Sequence, residues 1–387
     1  MATFLKRGKT WSYSMYIGFD ANGKHKRKMK GGFRTKAEAV AAANAASVEV
    51  ANGTFIEEKD ITFSDYSKEW ITGYALQVKK SSARVRQHEV DKLKHYFNLI
   101  KLKDITKKQY QDALIDMQKS GYAANTISGV HGTARMLFKK AVELDIIKND
   151  PTQFARPPRK VETLEDIEKE NEIPKYLEKN ELANFLRLAH DAGFKDDYAI
   201  FLVLSYTGIR AGELCALKWS DIDFANHTIK ITRTYYNPKN NIKKYELQPP
   251  KTKASRRTID IAEKVIKELE IHRAKQTKFK MLNRNIWHDQ DFVFCVPSRP
   301  GYPLYIKIVE NHMARLLKIA GLPEELTPHS LRHTHTSLLA EAGVGLEEIM
   351  QRLGHADDDT TRRVYLHVTK DMKKEAAKKF DNLMDNL

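Results

Sequence analysis

Residues 207–214 read Thr207-Gly208-Ile209-Arg210-Ala211-Gly212-Glu213-Leu214. Apolar Phe201, Leu202, Leu204 and Tyr206 precede this stretch, and Leu217 and Trp219 follow it. The pattern predicts a helix stopped by Gly208 and a second one opening just beyond, with Glu213 in its first turns. Arg210 then sits at a junction between two packed segments. It either pairs with Glu213 structurally or is held there for a ligand.

Toward the carboxyl end, His227 to Tyr236 and Arg257 to Ile261 read as strands flanking a lysine-rich loop. Within it, Pro250-Lys251-Thr252-Lys253-Ala254-Ser255-Arg256-Arg257 is a basic hairpin. A lysine on such a turn reaches a phosphate or a leaving oxygen, although a solvated basic loop is the plainer reading. Next comes Thr327-Pro328-His329-Ser330-Leu331-Arg332-His333-Thr334-His335. Thr327 is placed to cap a helix and Pro328 to occupy its first turn. His329 and Arg332, three apart, share one helical face. His329 and His333, four apart, raise a metal alternative, but the residue after His329 is Ser330 rather than the glutamate of H-E-x-x-H. In Leu353-Gly354-His355-Ala356-Asp357-Asp358-Asp359-Thr360, Gly354 ends a helix and His355 follows at once. The three aspartates read as caps for the next helix, with a cation site as the alternative. Tyr365 lies ten residues past His355. A lone tyrosine is ordinarily core; its company alone singles it out.

The amino-terminal third is organised differently. Residues 1–36 hold ten Lys or Arg and a single acid, Asp20. Trp11, Tyr13 and Met15 alternate with polar residues, Asp20 to Gly23 signals a hairpin turn, and the return strand Lys24-His25-Lys26-Arg27-Lys28-Met29-Lys30 is basic on both faces. Gly31-Gly32 is expected to break the chain, and Thr35 to Glu38 to open an alanine-rich helix ending near Asn52-Gly53. Apolar spacings of three and four predict helices over 62–78, 84–97, 106–118 and 124–143. The expected organisation is a sheet-plus-helix unit over 1–57, a helical bundle over 58–150, a linker over 151–175 carrying Pro157-Pro158 and the acidic run Glu162 to Glu172, and a mostly helical domain over 176–387 with a β-hairpin. The fold class is therefore mainly α with small β elements.

Composition narrows the function. The 387 residues carry 66 Lys plus Arg against 50 Asp plus Glu, a net charge of +16. Hydrophobic residues are 41% and charged residues 30%, which excludes a disordered chain, a collagen and a disulfide scaffold. No apolar run approaches the roughly 20 residues of a membrane helix, and the basic start lacks the apolar core of a secretory signal. Cys215 and Cys295, both in apolar contexts, read as buried free thiols in a reducing, cytoplasmic compartment. A positive excess of this size points to a polyanion, nucleic acid first.

In order, Arg210, Lys251, His329-x-x-Arg332, His355 and Tyr365 resemble the tyrosine recombinase (integrase) family: an arginine in T-G-x-R-x-x-E-L, a hairpin lysine, H-x-L-R-H, L-G-H, and a tyrosine nine or ten residues later. The match covers about residues 176–370. Residues 62–144 look like the family's core-binding domain, and residues 1–57 like the arm-binding domain of phage and conjugative-element integrases. The resemblance implies Tyr365 as nucleophile, forming a 3′-phosphotyrosine. Arg210 and Arg332 would grip the phosphate, and His355 would donate to it. Lys251, with Lys253 as a possible substitute, would protonate the leaving oxygen, and His329 would serve as base. It implies no cofactor and no metal. The implied partners are double-stranded DNA at core and arm attachment sites, three further copies in a tetramer, an excisionase and a host DNA-bending protein. Lys24, Lys26, Arg27, Lys28 and Lys30 would contact the arm site. The stripe Ala376, Phe380, Leu383, Met384, Leu387 would dock on a neighbouring protomer, or else on its own domain. A chromosome-dimer resolvase or type IB topoisomerase of the same chemistry is the alternative, disfavoured by the extra basic unit. A catalytically silent DNA-binding regulator is disfavoured by the complete residue set.

Overall fold

The computed structural model describes residues 2–19, 22–158, 175–250, 252, 254–354 and 359–368. The chain divides into two compact units, Met1–Glu162 and Thr163–Leu387, both built mainly of helices with small sheets.

The first unit opens with an antiparallel sheet of β1 (Thr3–Arg7), β2 (Thr10–Phe19) and β3 (His25–Phe33), followed by α1 (Lys36–Ala51). Tyr13 and Met15 alternate inward from β2 and pack against Ala43 of α1. Gly31-Gly32 does not break the chain: β3 runs through to Phe33, with a register shift between Trp11 and Ser12. Glycine is needed there because a Cβ on Gly31 would lie 3.2 Å from the Ser12 Cβ, and Gly32 sits at φ +93°. Thr35 caps α1 by accepting from the Glu38 N–H, while Glu38 reaches the Arg34 N–H.

Four helices follow, α2 (Phe63–Ala75), α3 (Lys80–Phe97), α4 (Lys107–Lys119) and α5 (Ala124–Glu143). They bury Phe63, Tyr66 and Trp70; Val90, Leu93 and Phe97; Tyr110, Leu114 and Met117; and Ile127, Val130, Leu137 and Phe138 in one core. The apolar spacing predicted these four helices. It placed the start of α3 a turn late, because its first residues face solvent and carry no periodic apolar signal. The bundle and the sheet keep separate cores but are tied together. Lys148 pairs with Glu49 and lies over the Phe55 ring, and its N–H donates to Glu58.

The second unit surrounds α7 (Asp197–Thr207), whose residues Ala199 to Ser205 are all buried. A helix apolar all round must be central. It packs against α6 (Lys179–Asp191), where Phe185 meets Phe201 edge-on. The remaining elements are α8 (Ala211–Cys215), the sheet β4 (Ile222–Asp223), β5 (Thr228–Ile231) and β8 (Arg257–Asp260), and the hairpin β6 (Thr234–Tyr236) with β7 (Glu246–Gln248). Then come α9 (Glu263–Leu282), α10 (Ile306–Ala320), α11 (Pro328–Glu341), α12 (Leu346–Leu353) and a helix α13 over 359–368. The strand expected over His227 to Tyr236 is two strands with different partners: β5 pairs with β8, and β6 with β7. Cys215 is buried, whereas Cys295 keeps some exposure; burial pushes both thiols up, Cys295 to about 12. Among the described residues, no helix is long and apolar enough to cross a membrane.

Candidate active site

Gly208 ends α7 in the left-handed region at φ +63°, and Arg210 is the residue on which α8 opens. Its backbone N–H donates to Glu213 Oε2 at 3.1 Å, and its Nη1 to Oε1 at 3.0 Å. The pairing with Glu213 is present, and about a third of the Arg210 side chain (36%) stays accessible. Glu213 is 2% exposed and also receives a forked pair of bonds from Arg257, at 3.0 and 3.3 Å. Burial alone would raise the Glu213 carboxyl pKa, but the Arg257 and Arg210 guanidinium groups outweigh it and the net shift is downward.

Arg332, on α11, is buried. Its Nη1 donates to the Gly208 carbonyl at 2.7 Å and its Nη2 to the Leu353 carbonyl at 2.6 Å. One guanidinium thus bridges the turn before Arg210 and the turn before His355. Thr327 and Pro328 begin α11 as expected, with Thr327 and Ser330 forming a capping box. The space behind Gly208 is full: a Cβ there would lie 2.7 Å from both His335 Cδ2 and Leu353 Cδ2. Gly208→Ala is therefore expected to cost about 1–3 kcal/mol through overpacking and a strained φ, read as a lower denaturant midpoint with unchanged slope.

The basic hairpin meets the same turn. Arg257 Nε donates to the Arg352 carbonyl at 2.7 Å, and Ser255 Oγ to the Gly354 carbonyl at 3.3 Å. Gly354 caps α12 at φ +71°, and a Cβ on it would press on the Ala254 carbonyl and Ser255 Cα at 3.0 Å. Lys251, Lys253 and His355 lie outside the described residues, as do Asp357 and Asp358; their described neighbours Thr252, Ser255 and Gly354 are in this frame. Tyr365 sits on α13, half-buried, and packs on the small cluster of Ala340, Ile349 and Leu353. His329 is exposed on the first turn of α11, and its ring meets His333 edge-on at 4.8 Å. Among the described residues no three His, Cys, Asp or Glu gather as metal ligands, so the His329/His333 pair has no third member there.

Sequence reasoning gave Arg257 no role beyond the basic run, and passed over His335 and Arg352. Arg257 carried no signal of its own, since neighbouring Arg256 is equally basic. Its inward aim is set by its position opening β8, opposite Ile231.

The N-terminal basic residues divide between two faces. Lys28 pairs in register with Met15 and Lys30 with Tyr13, on the face that α1 covers; Arg27 pairs with Tyr16 and Met29 with Ser14, on the other. Lys26 and Lys28 both bind Glu57, at 2.5 and 2.8 Å. Lys24 is exposed at the hairpin end. The acidic run Glu162 to Glu172 and the stripe from Ala376 to Leu387 lie outside the described residues.

The sequence matches the Phage integrase family over residues 175–372, an Arm DNA-binding domain over 4–50, and a phage integrase N-terminal SAM-like domain over 62–117. It is 29% identical to the integrase of Staphylococcus phage L54a over 348 residues, covering 86% of this chain and 96% of that one. It is 30% identical over 316 residues to a probable integrase of prophage ps2 in Lactococcus lactis, covering 80% of each. Among solved structures, the integrase of transposon Tn1549 in complex with a circular intermediate DNA shares the fold, with a TM-score of 0.65 at 22% identity over 83% of this chain and 99% of that one.

Proposed function

Because the chain belongs to the phage integrase family, we propose that it is a tyrosine-type site-specific recombinase that integrates a phage or mobile element through a covalent 3′-phosphotyrosine. The observation that carries the residue assignment is the Arg332 bridge. It draws the Gly208 turn, which leads into Arg210, onto Leu353, against whose cluster Tyr365 packs.

In this reading the Tyr365 phenolic oxygen attacks phosphorus in line with the departing 5′-oxygen. An O–P bond to tyrosine forms as the P–O5′ bond breaks. His329 takes the phenol proton, and Lys251, or Lys253 beside it, supplies one to the leaving oxygen. Arg210, Arg332 and His355 stabilise the charge on the non-bridging oxygens. The ester keeps the bond energy, so the 5′-hydroxyl of another strand can displace the tyrosine and reseal the backbone without ATP. Incubating the protein with a nicked duplex carrying the DNA that flanks its gene should give a covalent adduct on a denaturing gel. An intact protein that never forms one overturns the reading.

The expected domains follow the same assignment: 1–57 for the arm site, 58–150 for the core site, 151–175 as linker and 176–387 for catalysis. The working form is a homotetramer on DNA, assisted by an excisionase and a host bending protein, with the stripe from Ala376 to Leu387 docking between protomers. The +16 charge supplies affinity by displacing counterions, so binding falls steeply with salt.

Arm DNA is assigned to the sheet face that α1 leaves open, with Arg27 flanked by Tyr16 and Met29. This separates Arg27 from Lys28. Arg27→Ala should weaken arm-site binding by about 1–3 kcal/mol and leave core-site cleavage unchanged. Lys28→Ala should cost less, because its ammonium is already matched by Glu57. Titration of a labelled arm duplex checks this; equal losses from both substitutions, or loss of core cleavage with either, contradict the face assignment.

A further inference from the structure

We propose that His335 and Arg352 form a positioning pair, a hydrogen-bonded strut of a buried imidazole and a half-buried guanidinium that fixes the turn leading into His355 against the turn leading into Arg210. The role rests on the recombinase reading above and deepens it.

The geometry is specific. His335 is 6% exposed. Its Nδ1 lies 2.9 Å from the Ser205 carbonyl, and its Nε2 lies 3.0 Å from Arg352 Nε. A carbonyl only accepts, so Nδ1 carries the proton; Nε2 then offers its lone pair to the arginine N–H. The ring is a neutral acceptor for a cation, and burial together with the Arg352 charge pushes its pKa down to about 3. Arg352 completes the strut by donating from Nη2 to the Tyr206 carbonyl at 3.2 Å. Both ends therefore grip the last turn of α7, at Ser205 and Tyr206, four or five residues before Arg210.

Three features argue that the strut serves geometry rather than cohesion. No carboxylate lies within ion-pair distance of Arg352 among the described residues; its direct partners are an imidazole lone pair and a backbone carbonyl, with the Asp260 charge acting only from farther off. Half-burying a guanidinium without a paired carboxylate is a poor route to stability. Arg352 also immediately precedes Leu353-Gly354-His355, and its own carbonyl accepts from Arg257, the residue that forks onto Glu213. Finally, the strut runs beside the Arg332 bridge, which joins the same two turns at Gly208 and Leu353. Two parallel ties restrain rotation as well as separation, which one alone does not.

The test uses the full chain and the nicked duplex above, with adduct rate and duplex Kd measured separately and folding followed by thermal melting. His335→Phe, which fills the space without an acceptor, and Arg352→Met, which keeps the stem, should each slow adduct formation by about 100-fold, the scale of a displacement near 1 Å at a reacting centre. Kd should stay within about twofold, because neither side chain is a proposed DNA contact. The double variant should be no slower than either single one, as for two halves of one device. His335→Gln, whose side-chain carbonyl can accept from Arg352, should recover most of the rate. Multiplying effects in the double variant, equal losses of Kd and rate, or rates that simply follow melting temperature overturn the pair. Normal adduct formation by the variants overturns it alone, whereas a wild-type protein that forms no adduct overturns the recombinase reading and this role with it.

Discussion

Tyr365→Phe is expected to bind the nicked duplex with wild-type affinity and never to become joined to it. The substitution removes one oxygen from a ring that packs on Ala340, Ile349 and Leu353 and leaves that apolar contact intact. Folding stability should therefore change by no more than about 1 kcal/mol, the scale of one hydrogen bond. Chemistry responds differently, because in the proposed reaction the lost oxygen is the atom that forms the bond to phosphorus. Removing a nucleophile from an otherwise complete site typically lowers the rate by at least about 10⁴-fold, and what remains is not covalent chemistry at that ring. The denaturing gel should thus show no adduct while a native gel shows an undiminished complex. A persisting adduct would move the nucleophile elsewhere. An adduct lost together with DNA binding would mean that Tyr365 holds the structure or the DNA rather than attacking it.

The order of the motifs along the chain points to Tyr365 through the family resemblance alone, whereas the turns and helix ends that carry those motifs were legible for a physical reason. Helix stops at Gly208 and Gly354 and the Thr327-Pro328 start are local signals, written in residues that must stand where the chain turns. The bundle faces were readable for a similar cause: a helix buried on one side repeats every three or four residues, and Tyr110, Leu114 and Met117 carry that period directly. Pairings between distant segments were not legible. That Lys28 turns toward Glu57 while Arg27 turns away depends on strand register and on where residue 57 returns, neither of which is local. The Arg257 fork on Glu213 spans 44 residues and the His335 bond to Ser205 spans 130. Gly31-Gly32 misled for the opposite reason: two glycines look like a break, but here they let β3 pass close to Ser12.

Glu213 receives one of those long-range contacts, the Arg257 fork, and its replacement should have the second-largest effect. In Glu213→Ala the Arg257 guanidinium, on a side chain 6% exposed, loses both bonds of its fork and keeps its buried charge. Breaking a buried ion pair from one side costs about 3–5 kcal/mol, because the remaining charge stays desolvated. Arg210 loses the Glu213 carboxylate in the same step, so the group assigned to the phosphate also loses that anchor. Glu213→Gln keeps the volume and an acceptor and should be milder. The two variants also fix the sign of a pH effect. The Glu213 pKa is held below its usual 4.5 in the folded chain, so its contribution is complete above that value and disappears as pH falls through the folded value. The stability gap between wild type and Glu213→Gln should accordingly narrow on acidification below about 4.5 and stay constant above it. Denaturant melts at several pH values read this directly. A gap that widens in acid would mean that the carboxyl is raised by its burial rather than lowered by its two arginines. The frame joining Arg210 to the Arg257 hairpin would then have to be held by something other than that charge.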